Sequence, residues 1–375
     1  MRVGIDMRLN SYRVGGIPAY TAQLLMALGR VAAPNELFVA IRHRKPLLDA
    51  VVDPPGITTQ RVVTPPHHRW EQTLLPLELA SLRADVLHFP DFIPLFRRRT
   101  PAVITVHDLA FLHYPKILDS AAARFYGQIR RAVEHAAAII AVSHSTRHDL
   151  IRLLDVNPAK IEVIYEAAAP HFQPLELPAQ AERIINGHSL HADTFALFVG
   201  TIEPRKNLTT LLQALRLVKD QAAGKHPRLV VAGARGWLDD DVVATVADLR
   251  LDDAVTFVGP TAPSDLVWLY NACRVYLHPE LYSGFGLPVL EAMQCGAPAI
   301  VADTSSLPEV AGNAAVLLPP RDAESWAAAW ARLWTDAGHR KQLRQQGLQR
   351  AAQFSWTTTA RATLELYRRL AHTTS

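Results

Sequence analysis

The sequence predicts an α/β chain built from two doubly wound, parallel-sheet domains. Three observations carry this. Short apolar runs of strand length alternate with amphipathic helical stretches, a proline-rich segment interrupts the alternation near the middle, and the alternation then restarts. A length of 375 residues suits two domains at about 100–200 residues each. Strand–helix alternation implies right-handed crossovers and helices on both sheet faces.

Strands are expected at 3–6, 37–41, 85–89, 102–106, 138–142 and 161–164 in the first half. Between them, Ile17, Tyr20, Leu24, Leu25 and Leu28 recur at helical spacing after Gly15-Gly16. Residues 124–137 read as a helix, and Ser143 to Ser145 offer caps for a helix starting near Thr146. Residues 169–192 contain Pro170, Pro174 and Pro178 and no convincing strand, so they read as a linker. The second series places strands at 195–200, 228–233, 255–259, 275–278, 299–302 and 314–318, with helices at 207–218, 263–272 and 288–293. Phe354-Ser355-Trp356 opens a capped helix at the end. The expected domains are 1–175, 190–353 and a terminal helical segment, 354–375.

Composition narrows the function classes. Apolar types make up 49% and charged types 20%, which excludes a disordered or fibrous chain. A formal charge of +4 is too weak a bias for a nucleic-acid binder. All of it falls in the first 180 residues, with 20 Lys/Arg against 16 Asp/Glu; the remainder carries 19 against 19. That is a mild pointer to an anionic, phospholipid-linked partner of the first domain. Cys273 and Cys295 lack zinc-type spacing, so no metal site is expected, and two cysteines suit a reducing compartment. The N-terminus has an acid, Asp6, where a signal peptide needs an apolar core, and no apolar stretch approaches the ~20 residues of a membrane span. The expectation is a cytoplasmic protein, at most peripheral on a membrane surface.

Ligands in open α/β sheets sit beyond the carboxyl ends of the strands, so the site is expected in the cleft between the domains. Three clusters stand at strand ends. Gly200-Thr201-Ile202-Glu203-Pro204-Arg205-Lys206-Asn207 puts two cations ahead of a helix, which suits a pyrophosphate or, equally, a solvated turn. Ser283-Gly284-Phe285-Gly286-Leu287-Pro288 offers backbone N–H groups to an anion, and Glu291 follows on the first turns of a helix. Its carboxylate suits either a ribose diol or the helix dipole. His107 directly follows the apolar strand 102–106, where an acid, base or hydroxyl-binding group would be useful.

Together, Glu203-Pro204-Arg205-Lys206-Asn207, Gly284-Phe285-Gly286-Leu287-Pro288-Val289-Leu290-Glu291-Ala292-Met293 and Val106-His107-Asp108 resemble a family 4 (group 1) glycosyltransferase of the GT-B fold. Gly15-Gly16-Ile17, Val142-Ser143-His144-Ser145, Phe257-Val258-Gly259 and Ser306-Leu307-Pro308-Glu309-Val310 extend the resemblance over the whole chain. It implies retaining, metal-independent transfer of a sugar from a nucleotide diphosphate to a glycan or lipid-linked acceptor. The donor would bind the C-terminal domain and the acceptor mainly the N-terminal one. Arg205 and Lys206 match the donor-phosphate cations, His107 the histidine at the donor sugar, and Gly15 and Gly16 the loop approaching the phosphates. Gly200, Gly259, Glu280, Ser283, Gly284, Phe285, Gly286 and Leu287 fall in the donor site, and Glu291 matches the second glutamate of a Glu-x7-Glu motif. The resemblance also implies that the last helix crosses back to the N-terminal domain. The Glu-Pro-Arg-Lys-Asn variant is similar to bacterial mannosyltransferases of surface-polysaccharide assembly, which implies GDP-mannose as donor.

One departure stands out. The first glutamate of the motif is replaced by Ser283, while Glu280 lies three residues earlier. Either Glu280 reaches the sugar or the site works without that carboxylate. Two other readings remain open at this stage, a nucleotide-sugar epimerase or hydrolase on the same fold and a non-catalytic scaffold. Of the tryptophans, Trp326, Trp330 and Trp334 are spaced by four along a helix and read as packing, with Trp237 and Trp268 left as sugar-stacking candidates. Arg42-His43-Arg44-Lys45 and Arg97-Arg98-Arg99 read as solvated loops or as cations for anionic lipid head groups.

Overall fold

The computed structural model describes residues 1–48, 56–114, 124–221, 227–236 and 240–373. The chain divides into two compact units, 1–167 with 355–375, and 168–354. Among the described residues each unit is built on one parallel sheet.

In unit 1 the strands are β1 (Arg2–Asp6), β2 (Leu37–His43), β3 (Ile57–Val62), β4 (Val86–Phe89), β5 (Ala102–Val106), β6 (Ala138–Ala141) and β7 (Ile161–Val163), in spatial order β3-β2-β1-β4-β5-β6-β7. β4 and β5 are buried along their whole length, because helices cover both faces of the sheet. Successive residues of β5 point opposite ways: Val103 joins one apolar cluster with Leu24, Phe38 and Ile140, and Ile104 the other with Leu87, Ile139 and Leu150. The strand order reverses between β1 and β4, so a crevice opens at their carboxyl ends.

Unit 2 holds β10 (Phe195–Val199), β11 (Arg228–Ala232), β12 (Val255–Gly259), β13 (Val275–His278), β14 (Ala299–Ala302) and β15 (Val316–Leu318), in the order β12-β11-β10-β13-β14-β15. Its reversal lies between β10 and β13. Gly233 follows β11 so closely that a Cβ there would lie 2.1 Å from the Gly200 carbonyl oxygen, so a side chain is excluded.

Four expectations are corrected. The stretch 169–192 is not a plain linker, since β8 (Glu182–Ile185) and β9 (His188–His191) form an antiparallel hairpin. Asn186 (φ 48°) and Gly187 (φ 84°) make its two-residue left-handed turn, the conformation that Asn-Gly favours. Residues 168–175 group with unit 2 and not with the first domain. Phe172 packs edge-on against Tyr270, and Asn271 Oδ1 accepts the Leu175 amide at 2.7 Å. The 124–137 helix is broken at 127–128 and resumes as Ile129–His135. Arg42 and His43 belong to β2, with His43 buried, so only part of that basic run is loop. Trp326 and Trp330 are fully buried and Trp268 stacks on Phe195, which settles these three as packing; Trp237 lies outside the described residues. The last helix, Trp356–Thr373, groups with unit 1. Among the described residues no helix is long and apolar enough to cross a membrane.

Candidate active site

In unit 2 the chain leaves β10 at Gly200, makes one tight turn over Pro204–Lys206, and enters the helix Leu208–Gln221. Asn207 sets that entry. Its backbone is left-handed (φ 56°), and its Nδ2 donates to the Pro279 and Pro320 carbonyls at 3.0 and 2.6 Å. The Leu281 amide donates to the Arg205 carbonyl at 2.9 Å. The loops after β10 and β13, on either side of the strand-order reversal, are thereby clipped together.

The clip brings Arg205 and Lys206 onto one carboxylate. Both cations donate to Glu280 Oε1, Lys206 Nζ at 2.8 Å. Arg205 also reaches the Tyr282 carbonyl (2.9 Å) and Glu203 (2.7 Å). Glu280 is 1% exposed. Burial would raise its pKa, but Lys206, a hydrogen bond from His278 and Arg205 together hold it well below the usual carboxylate range. His278 is buried at the end of β13. Burial lowers its pKa and keeps it neutral, so Nε2–H donates to Glu280 Oε2 (3.0 Å) while Nδ1 accepts from the Tyr276 hydroxyl (2.9 Å). This chain from the strand to the cations has no motif signature; a His-Pro-Glu run at a strand end is its only sequence trace.

Glu280 thus spends both carboxylate oxygens on the cations and on His278, which favours the reading in which the site works without a carboxylate at the sugar. Ser283, at the motif position, is buried. Its amide donates to Ser305 Oγ at 2.8 Å, and Ser306 Oγ lies 2.8 Å from both the Ser283 and Phe285 carbonyls, which share its one proton. Phe285 turns its ring inward, edge-on to Phe354, so of this residue only the backbone is left to face a ligand. Gly286 (φ 105°) caps the helix Leu287–Cys295; no side chain caps that N-terminus and no acid occupies its first turn. Pro288 has no N–H, and the Val289 and Leu290 amides turn back on the Gly286 carbonyl at 2.9 and 3.3 Å, so it is the Leu287 amide and the helix dipole at this end that suit an anion. Glu291 stands on the second turn and accepts from the Tyr270 hydroxyl at 3.1 Å. Burial pushes its pKa up to about 7, with the Tyr270 bond opposing. Gly200 and Gly259 close β10 and β12 with positive φ, and the Gly200 backbone lies against the Lys206 stem.

His107, Gly15 and Gly16 belong to unit 1. Gly15 (φ 147°) caps α1 (Gly16–Val31), and a Cβ at either glycine would meet nothing within 4 Å. Tyr20, one turn along α1, packs its ring edge-on against His107 at 4.8 Å. His107 lies between two acceptors, with Nδ1 2.7 Å from Glu166 Oε1 and Nε2 3.1 Å from the Pro90 carbonyl. Two acceptors require two N–H groups, hence an imidazolium. Burial opposes the charge, but the Glu166 hydrogen bond and charge raise the pKa. Protonation of His107 is thereby favoured, which weakens it as a general base. Glu166 was not legible beforehand; its only signal is an acid three residues past β7.

The chain matches the family model "Glycosyl transferases group 1" over residues 181–350 and "Glycosyltransferase Family 4" over 14–169. It is 31% identical over 340 residues to O-antigen chain mannosyltransferase B of Escherichia coli, covering 90% of this chain and 84% of that protein. It is 29% identical over 313 residues to the serotype-specific mannosyltransferase WbdA of Escherichia coli, of which the match covers 38%. It is 28% identical to the D-inositol 3-phosphate glycosyltransferase of Kribbella flavida, over 94% of this chain and 90% of that one. Among solved structures, sucrose-phosphate synthase from Thermosynechococcus elongatus superposes with a TM-score of 0.76 at 21% identity, covering 98% of each chain. WaaG, a glycosyltransferase involved in lipopolysaccharide biosynthesis, superposes at 0.73 with 14% identity, over 97% of this chain and 99% of that one. Two parallel-sheet units with the cation pair at one strand-order reversal, matched over nearly their full length by these proteins, place the chain in the family 4 (group 1) glycosyltransferases of the GT-B fold.

Proposed function

We propose that the protein is a retaining mannosyltransferase that moves mannose from GDP-mannose to a glycan or lipid-linked acceptor in surface-polysaccharide assembly. The observation that carries this reading is the Arg205–Lys206 pair, held on buried Glu280 at the strand-order reversal of unit 2. Breaking a sugar–phosphate bond builds negative charge on the diphosphate and positive charge on the ring. Preorganised cations and a helix N-terminus meet the first of these without reorganising, usually the largest single term in catalysis. In the free protein Glu280 partly neutralises the cations, so the diphosphate would complete a site that is not left strongly positive.

The leaving diphosphate would take the acceptor hydroxyl's proton during front-face attack, and no metal is needed because Arg205, Lys206 and the 287–295 helix N-terminus supply the charge. The Glu166 pairing that favours a protonated His107 favours the phosphate over the imidazole as the proton's acceptor. Ser283 in place of a glutamate fits a mechanism with no carboxylate nucleophile. Mannosyltransferase relatives at about 30% identity favour the mannose donor. A cytoplasmic enzyme working peripherally at the inner membrane face would meet a lipid-linked acceptor there.

The test is transfer in EDTA from GDP-mannose, UDP-glucose and other nucleotide sugars to a mannose-terminated oligosaccharide, with the product's anomeric configuration read by NMR. An α-linked product from GDP-mannose alone is expected. A β-linked product, or nucleotide release with no acceptor consumed, would overturn the proposal.

A further inference from the structure

A pocket of about 370 Å³ opens in unit 2 beside the residues that lead into β10, β13 and β14. It therefore lies at the amino ends of these parallel strands, the edge opposite the one that carries Arg205 and Lys206. Its volume falls within the ~300–1,000 Å³ of small-molecule sites. Leu177, Pro178 and Pro298 give it an apolar lining. Four cations also line it, Arg274, Arg340, Lys341 and Arg344, against one carboxylate, Asp193. Arg274 donates to both oxygens of Asp193, at 2.9 and 2.7 Å, so these two offset each other. The other three cations have no carboxylate partner among the described residues.

Helix energetics do not explain these three. They sit in the first two turns of the helix Ala337–Ala351, near the positive end of its dipole, where acids are favoured. Its first turn holds no acid, and Asp336 at the N-cap spends Oδ1 on the His339 amide at 2.8 Å. Arg340 and Arg344 also repeat at the four-residue spacing at which like charges repel. Neutral acceptors hold them instead. Arg340 Nη1 donates to the Leu333 and Trp334 carbonyls at 2.7 and 3.0 Å, and Arg344 Nη1 to the Gly296 carbonyl at 3.2 Å. Gly296 (φ 81°) makes room for that guanidinium, since a Cβ there would lie 2.9 Å from Arg344 Cζ. Each arginine is thus anchored through one nitrogen and keeps Nε and Nη2 for a ligand, and Lys341 is exposed with no partner among the described residues. Local rules broken in this way mark functional positions.

We propose that this pocket binds the phosphate dianion of a small molecule, held by Arg340, Lys341 and Arg344. Guanidinium forks match phosphate oxygens two at a time, and three uncompensated cations suit a doubly charged anion. A neutral sugar would meet donors only, with no acceptor for its own hydroxyl protons. The apolar lining and the volume leave room for a compact body esterified to the phosphate, so an ester should bind more tightly than the free ion. The site is distinct from the diphosphate groups of the donor, which stand at the carboxyl ends of the same strands.

The test is calorimetric titration of the full chain with glucose 1-phosphate, inorganic phosphate and glucose. Wild type is expected to bind both phosphates, more weakly as salt rises, and not glucose. Tighter binding of the ester assigns the site to a phosphate monoester, and equal binding assigns it to the free ion. Lys341→Gln should weaken binding about tenfold, the worth of one charged hydrogen bond, and Lys341→Gln/Arg344→Gln should weaken it further. Lys341 is exposed and unpartnered, so the single variant should melt as wild type does and decides the matter even where loss of the Gly296 bond unfolds the double variant. Lys206→Ala, altered at the other edge of the sheet, should keep the site. The proposal is overturned if wild type binds neither phosphate, if glucose binds as well as its phosphate, if Lys341→Gln binds as wild type does, or if Lys206→Ala abolishes the binding.

Discussion

Arg205 and Lys206 share one buried carboxylate but not equally. Arg205 spends donors on Glu203 and the Tyr282 carbonyl as well as Glu280, whereas the Lys206 ammonium, with three donors, is placed by Glu280. Lys206→Ala is therefore expected to lower kcat by about 10²–10³, the cost of removing one preorganised donor, and Arg205→Ala to lower it less. Steady-state kinetics on both decides it, and a near-wild-type rate for Lys206→Ala would remove the donor site from this loop. Two histidines of unit 1 behave oppositely with pH. The raised pKa of His107 means that its pairing with Glu166 stabilises the fold fully below the ordinary value of 6.5, and that this is lost as pH climbs through the raised value. Glu166→Gln should thus lose stability against wild type in urea melts at pH about 5.5 and much less at pH about 9. A pH-independent difference would show that Glu166 merely fills space. His88, by contrast, has its pKa pushed down to about 3 by burial, so its contribution is present above 6.5 and lost as pH falls.

The elements most legible from sequence are those whose burial makes them uniform. β5 and β10 read as unbroken apolar runs because helices cover both their faces. β3 did not, since an edge strand with Thr58, Thr59, Gln60 and Arg61 in its middle buries only Val62. The β8–β9 hairpin was hidden for a related reason: Ile185 and Leu190 are its buried apolar side chains, although Asn186-Gly187 stood in the sequence as a turn signal. The strand-end cations were visible as a motif. The pairing of Glu166 with His107 and of Glu280 with Arg205 and Lys206 was not, because spatial contact between loops from different strands leaves no spacing in the chain. Where loop and helix meet, geometry is strict. Gly286 is left-handed, and a Cβ there would come within 2.8 Å of Leu307 Cδ2. Gly286→Ala should cost more than the ~1 kcal/mol of an ordinary glycine replacement, since backbone strain and overpacking add. Nucleotide affinity should fall with it, because the Leu287 amide loses its aim. Urea melts alongside calorimetric titration would show both losses, and unchanged affinity would mean that the 287–295 N-terminus is not the anion site.

At the scale of the whole molecule, the chain enters unit 1 twice. Residues 355–375 return to it after unit 2 is complete, and the helix Trp356–Thr373 buries Ala360, Thr363, Leu364 and Tyr367 there. Tyr367 does more than fill volume. Its hydroxyl lies 2.6 Å from His88 Nδ1, His88 Nε2 lies 2.7 Å from Thr105 Oγ1, and Thr105 meets the Tyr20 hydroxyl at 3.2 Å. Tyr20 in turn packs on His107, so the C-terminus supports the histidine through a buried polar chain. The diphosphate groups assigned above, Arg205, Lys206 and the 287–295 helix, all belong to unit 2. The two units should therefore answer separately in calorimetry. Tyr367→Ala should destabilise unit 1 by about 3–5 kcal/mol, as for other large aromatic truncations. GDP at a hundred times its Kd should stabilise unit 2 by about 2.7 kcal/mol in wild type and in Tyr367→Ala alike. The unit that GDP protects can be read by hydrogen exchange, as slowed amides in 168–354. Protection confined to unit 1, or loss of GDP binding in Tyr367→Ala, would show that the nucleotide does not sit on the residues after β10 and β13.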